Sequence, residues 1–449
     1  MKSSKYQDIA RIIEAKIDIG EFQVGNKLPT HRALAEELDT TAVTVSKAYS
    51  LLAQENKIES FVGRGSYVAD PASLSNVIRS TQSQSEYNFS ILQPCVSRHI
   101  ITLHNQFKSC FSGDINADLY AYSENTGLSR HKEISRLWPA KYGLYEPEVE
   151  QVHLTGGAQH ALSTLIQLYT QPGDLIALEE QTYPGILSIA TFLGRKVVGV
   201  KMDEQGMQPA ALTHIMKTLS PKLVIIVPSH QNPTGATMSI ERRQQIAHVI
   251  EASSCWLIED DIYGFLNKEV LPAISCYVPH KSFHVSSLSK AISPGMRCGF
   301  IISPKGQSAR LSAFIRAMMW LPTPLVFEVA SQIIESGMAF DLADQQRQIA
   351  ESRQRIFEKH FDEYCYTRQP TSYQAWLTLP DGWSADNFAM IAKSQGLLVS
   401  SASYFSVSGV SSNKVRLSVM AIDSEQHFAA GLGKLKMLLR QSPKELSPF

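Results

Sequence analysis

Between Asp70 and Asn88 the chain reads DPASLSNVIRSTQSQSEYN, a run of serine, glutamine and asparagine with too little apolar content to build a core. This one sharp shift in composition constrains the fold most, because the segments on its two sides must each bury their own apolar residues. A chain of 449 residues is in any case too long for a single compact core. The organisation expected is therefore a small unit over 1–70, a linker over 71–87 and a large unit over 88–449. Bulk composition serves mainly to exclude. A formal net charge of +0 sets up no field that would draw the whole chain to nucleic acid, membrane or an acidic ligand. The cysteines Cys95, Cys110, Cys255, Cys276, Cys298 and Cys365 are scattered, without metal or disulfide spacing, which fits a reducing cytoplasm and no metal site. The opening MKSSKYQDIARIIEAK turns amphipathic at once, unlike a signal peptide, and no window approaches the roughly 18 apolar residues of a membrane span.

In the small unit, YQDIARIIEAKIDIG spaces Ile9, Ile12, Ile13, Ala15, Ile17 and Ile19 mostly at helical intervals and stops at Gly20. LPTHRALAEELD predicts a second helix capped by Thr30, with Ala33, Leu34 and Leu38 on its buried side. Past a tight turn at Asp39 and Thr40, TAVTVSKAYSLLAQEN predicts a third, with Val43, Val45, Ala48, Leu51 and Leu52 as its apolar set. Two helices joined by about four residues make a helix-turn-helix. KIESFVGRGSYVAD reads as a hairpin turning at Gly63, Arg64 and Gly65, the wing of a winged helix. Nine basic side chains stand against ten acidic ones in 1–70, so no net positive charge advertises DNA. A recognition helix needs only a few donors on its groove face, and Arg32, Thr41, Thr44, Lys47 and the wing's Arg64 are the candidates for it.

KLPTHRALAEELDTTAVTVSKAYSLL followed by GRGSYV resembles the winged helix-turn-helix of the GntR family of bacterial transcription regulators over about 65 residues. Two positions depart from the family pattern. Asp39 replaces the usual turn glycine, a place near the left-handed region that Asp tolerates. Ala42 replaces an arginine that often contacts DNA in that family.

The large unit has a different grammar. VHLTGGAQHALSTLIQLY runs from a strand through Gly156 and Gly157 into a helix, an arrangement that offers backbone N–H groups to a phosphate. KLVIIVPSHQNPTG is a buried strand delivering Asn232, CWLIEDDIYG another delivering Asp260, Asp261 and Tyr263, and HVSSLSK a third delivering Ser287, Ser289 and Lys290. Strands alternating with helical segments such as SIERRQQIAHVIEAS predict a mostly parallel α/β sheet, with ligands at the carboxyl ends of its strands. An amine, a carboxylate, hydroxyls, an amide and a guanidinium then converge on one edge. Pyridoxal 5'-phosphate unites them: the amine of Lys290 bonds the aldehyde and Asp260 keeps the ring nitrogen protonated. Asn232 and Tyr263 hold the phenolic oxygen, and Ser287, Ser289 and Arg297 hold the phosphate.

This ordered set resembles the fold-type I, class I aminotransferases across nearly all of the large unit, implying a large mostly parallel sheet with helices and a small C-terminal subdomain. The resemblance places Tyr122 of YSENTG at a phosphate in the partner subunit, the Gly157 and Ala158 backbone at the phosphate, and Tyr183 of QTYPG against the pyridine ring. It places Arg416 of NKVRLSVM at the substrate's α-carboxylate. LSRHKEI departs from the family's usual P-L-R-x-x-I. Asp261 and Glu259 are assigned no role, and His230 only a supporting one. A GntR-type winged helix, a linker and an aminotransferase-like unit in this order resemble the MocR subfamily of bacterial regulators. That implies a head-to-tail homodimer on double-stranded DNA, with a small amino compound or pyridoxal phosphate itself as the signal. A working aminotransferase carrying a fused DNA-binding module is the alternative, favoured by the completeness of the set.

Overall fold

The computed structural model describes residues 5–18, 21–23, 26–54, 57–61, 65–68, 87–114, 116–122, 127–409 and 412–441. Ile19, Gly20, Arg64 and the rest of the hairpin turn at Gly63, and the polar stretch through residue 86, lie outside them. The chain divides into two compact units, Met1–Thr81 and Gln82–Phe449.

The first unit has helices Lys5–Asp18, His31–Glu37 and Ala42–Gln54, then an antiparallel hairpin of Ile58–Phe61 and Gly65–Val68 with Ile58 opposite Val68. Thr30 caps the second helix, its hydroxyl accepting from the Ala33 N–H at 3.3 Å. Thr41 does the same for the third through the Thr44 N–H at 3.2 Å. Asp39 takes the left-handed conformation, φ 44°, that the turn between these helices needs. Ile9, Ile13, Leu34, Val45, Ala48, Tyr49, Leu52, Ile58 and Val68 close the core. Two residues expected in that core are outside it. Ala33 is exposed, and Ala35 takes its place beside Leu34. Val43 is 66% exposed. At about 100° per residue it sits two positions before Val45, on the opposite face from Val45, Ala48 and Leu52.

The second unit is built on a seven-stranded sheet in the order Val152–Thr155, Gly299–Ile302, Ser282–Ser287, Trp256–Asp260, Leu223–Ile226, Leu175–Glu179, Lys196–Val200. Gly299–Ile302 runs antiparallel to both neighbours and the other pairings are parallel. Leu178, Ile225 and Ile258 pack into one cluster with helices Ala158–Tyr169 and Pro184–Phe192, whereas Ala177, Val224, Ile226 and Leu257 pack into another with Leu212, Ile246 and Ile250. The strands are thus buried on both faces, which is why they read as unbroken apolar runs. A smaller antiparallel sheet, Tyr366–Thr367, Gln374–Thr378, Lys414–Ser418 and Ser400–Ser401, carries helices Ala385–Ser394 and Glu425–Leu439 beside it. Tyr87–Asn88 pairs in parallel with Leu397–Leu398 there, so the chain enters this unit through its small subdomain. This is the large parallel sheet and small C-terminal subdomain expected. No helix among the described residues is long and apolar enough to cross a membrane.

Candidate functional site

The carboxyl ends of the parallel strands gather the titratable groups. Asp260 ends its strand 2% exposed, and its Oδ1 has no hydrogen-bond partner. Burial, with the adjacent Asp261, pushes its carboxyl up to about 7 against the opposing pull of His284 and Lys290. Three residues past the end of Ser282–Ser287, Lys290 donates from Nζ to the Leu92 carbonyl at 2.6 Å. Burial lowers its amine to about 8; Arg416 and Arg297 add to this, and Asp260 opposes it. Asp260, Arg416 and the Lys290 amine therefore share one low-dielectric space, while Arg297 is exposed. Asp261 is the contrasting carboxylate. Burial opposes its ionisation, but hydrogen bonds from His284 and Ser229 and the charge of Arg243 hold it below its usual range.

On the side expected to meet the phosphate, Gly157 has φ +88°, and a Cβ there would lie 2.6 Å from Arg297 Nη2. Only glycine lets the guanidinium approach so closely. Arg297 itself sits at φ 53° and donates from Nη2 to the Gly156 carbonyl at 2.9 Å. The Gly157 N–H is spent on Thr155 O and the Gly156 N–H on His160 Nδ1, so the open donors of the helix Ala158–Tyr169 begin at Ala158. Ser287 and Ser289 are buried nearby in sequence, the Ser289 N–H donating to Ser287 Oγ at 3.4 Å.

Arg416 arrives from the small subdomain. Its Nη1 donates to Asn232 Oδ1 at 2.8 Å and its Nη2 to Ser400 Oγ at 3.1 Å and to the Ser90 carbonyl. The guanidinium carbon stands 4.9 Å over the Phe405 ring. Burial lowers it to about 10. Asn232 precedes a cis proline bond, and Tyr263 is buried, its hydroxyl pushed up by burial. Tyr183 begins the helix Pro184–Phe192 and feels both burial and Asp260. The structure thus brings Lys290, Asp260, Tyr263, Asn232, Tyr183 and Arg416 together, with Arg297 beside Gly157. It does not bring in Tyr122, which is 82% exposed with its ring 5.3 Å from that of Trp320.

Sequence reasoning missed a buried support. Glu179 is 0% exposed at the end of its strand. Its Oε2 accepts from the Val227 N–H at 3.3 Å and from Gln231 Nε2 at 3.1 Å. Gln231 in turn receives the Thr234 N–H, so this pair braces the turn that carries Asn232. Glu259 is bound by the Ile274 and Ser275 N–H groups at 2.8 Å each, a structural role that explains its burial.

In the first unit Arg32 and Lys47 are exposed and enter no ion pair among the described residues. The hydroxyls of Thr41 and Thr44 bond each other at 2.8 Å.

Residues 125–432 match the family of aminotransferases class I and II, and residues 5–68 match the bacterial regulatory proteins of the gntR family. The chain belongs to the aminotransferase class I and II family. Its N-terminal unit is a GntR helix-turn-helix. This aminotransferase-family chain is 27% identical over 436 residues to the HTH-type transcriptional regulator YdeF of Bacillus subtilis, covering 97% of this chain and 94% of that protein. It is 26% identical over 347 residues to the pyridoxine biosynthesis transcriptional regulator PdxR of Corynebacterium glutamicum, covering 76% and 75%. Its fold matches the kynurenine aminotransferase of Pyrococcus horikoshii in complex with PMP, at a TM-score of 0.74 and 20% identity, over 84% of this chain and 95% of that one. The two-part composition is that of the MocR subfamily. The cofactor of this aminotransferase fold is pyridoxal 5'-phosphate, and the residues present fit it. The unpartnered Asp260 Oδ1 offers a buried acceptor to a ring N–H, and Gly157 lets the Arg297 guanidinium lie against the start of the helix Ala158–Tyr169, where a phosphate needs a cation.

Proposed function

We propose that the chain is a cytoplasmic, pyridoxal phosphate-dependent transcription regulator that binds promoter DNA as a head-to-tail homodimer and responds to a small amino compound. The observation that carries this reading is that Lys290, Asp260 and Arg416 converge in one buried space of a chain that also carries a GntR unit. In this reading Lys290 bonds the cofactor and Asp260 binds its ring nitrogen. Asn232 and Tyr263 take the phenolic oxygen, and Tyr183 stacks on the ring. Ala158, Ser287, Ser289 and Arg297 hold the phosphate, Gly157 giving Arg297 its close approach in place of an N–H, with Tyr122 reaching the site of the other subunit. The bound cofactor supplies an electrophilic carbon for an incoming amine and, once its ring is protonated, an electron sink. Arg416, already aimed by Asn232 and Ser400, receives the carboxylate of an amino acid, and its desolvation strengthens that pairing. Arg32, Thr41, Thr44, Lys47 and Arg64 face the DNA.

The test uses one preparation of the full chain. Borohydride reduction should fix the cofactor on Lys290. A panel of amino acids and amines is then scored for two effects: a shift in DNA affinity and production of keto acid from an added acceptor. An amine that changes DNA affinity where turnover is slow, with the response lost in Lys290→Ala, supports regulation. Rapid multiple turnover with DNA affinity indifferent to every amine would establish the aminotransferase reading, which the complete set of polar groups also favours.

A further inference from the structure

The surface of the helix-turn-helix carries an apolar side chain that neither the fold nor the charged contacts explain. Val43, in the first turn of the helix Ala42–Gln54, is 66% exposed. It lines a shallow concavity with Thr30, His31, Arg32, Ala42 and Ser46. His31 is anchored there, its ring 4.9 Å from that of the buried Tyr49, whose hydroxyl donates to Pro29 O at 2.8 Å. The floor of the concavity is therefore tied to the core through Tyr49. Of the neighbouring hydroxyls, Thr41 caps the helix and bonds Thr44 at 2.8 Å, so the pair keeps one free O–H while Val43 projects beside it as the apolar member of this turn. Exposed Arg32 and Lys47 supply cations that suit phosphates.

Resting on the DNA-binding reading above, we propose that Val43 is a specificity-determining residue that reads the 5-methyl group of thymine in the major groove. The first turn of the second helix of such a unit is the part that meets base edges. An aliphatic side chain there cannot hydrogen-bond a base, and the major groove presents one apolar feature to it, the thymine methyl. Ala42 beside it is too short to bond a base edge either, so this turn discriminates by apolar contact, and A·T pairs are favoured at that position of each half-site. Burying one methyl between Val43 and the floor is expected to raise affinity by about four-fold per half-site.

The experiment selects bound sequences from a randomised duplex pool with the full-length protein, then remeasures the enriched duplex with deoxyuridine replacing thymine one position at a time. The expected result is one thymine per half-site whose replacement weakens binding about four-fold, with Val43→Ala binding the thymine and deoxyuridine duplexes alike. Because Val43 is exposed, Val43→Ser serves as a second variant that removes both methyl groups, and it too should lose the methyl preference. Enrichment of a sequence that binds equally well with deoxyuridine at every position overturns the assignment alone. Methyl sensitivity that persists unchanged in both variants overturns it as well. Failure to enrich any sequence overturns the DNA-binding reading and this assignment with it.

Discussion

Lys290 and Glu179 show how burial, as the largest of several influences, sets chemistry at single residues. The Lys290 amine, lowered to about 8, is largely neutral at a pH where an exposed lysine is almost wholly protonated. Only the neutral amine attacks an aldehyde. The rate at which cofactor-free protein takes up pyridoxal phosphate should therefore rise from pH 6 and level off just above pH 8; a stopped-flow absorbance profile still climbing at pH 10 would contradict this. Glu179 moves the other way. Burial, helped by Asp260, raises its carboxyl from 4.5 to about 8, although the Gln231 and Val227 donors favour the charge. The folded protein keeps a proton that the unfolded chain releases, so the stabilisation is complete below about pH 4.5 and is lost as pH rises through about 8. The melting temperature of cofactor-free protein should fall across that window. Glu179→Gln keeps the shape without the titration and should flatten the fall.

At the level of elements, the turn between the two DNA-facing helices depends on Asp39 at φ 44°. Asp39→Gly should leave stability unchanged or raise it by under about 1 kcal/mol, whereas Asp39→Val should cost about 1–2 kcal/mol in denaturant unfolding. Much of the architecture is legible because each strand of the large sheet is short, apolar and closed by a turn residue. The strand ends name Asp260, Lys290 and Asn232 directly. What escapes has physical reasons. Val43 and Ala33 read as core residues because a seven-residue helix and a first helical turn are too short for periodicity to separate one face from the next. Glu179 stands in LEEQTYPG, where nothing distinguishes a buried glutamate from the exposed kind. Ser90 and Leu92 contribute backbone carbonyls, which no reading of side chains finds. Tyr122 is assigned to the other subunit's site, and one chain carries no trace of that.

For the whole molecule, charge on the DNA-binding unit is rationed. Lys16 is held by Glu21 and Glu37, and Lys57 by Glu14, leaving Arg32 and Lys47 as the exposed cations of the proposed recognition face among the described residues. A pair of units whose Arg32, Lys47 and Arg64 neutralise about six phosphates predicts a slope of log affinity against log salt of about −5, measurable by fluorescence titration on the selected duplex. The route by which the chain enters its second unit has a consequence for dissecting it. Tyr87–Asn88 adds to the Leu397–Leu398 strand, Ser90 and Leu92 present their carbonyls to Arg416 and Lys290, and Cys95 and His99 are bonded to Gln346 and Ile292. The residues matching the aminotransferase family begin only at 125. A piece cut at that boundary would lose the backbone that steadies both cationic groups, and should fail to hold the cofactor's colour where a piece beginning before Tyr87 succeeds. The transplantable module thus begins well before the residues that match the family, and exchanges of DNA-binding units between relatives should tolerate a junction in the polar stretch but not one a few residues later.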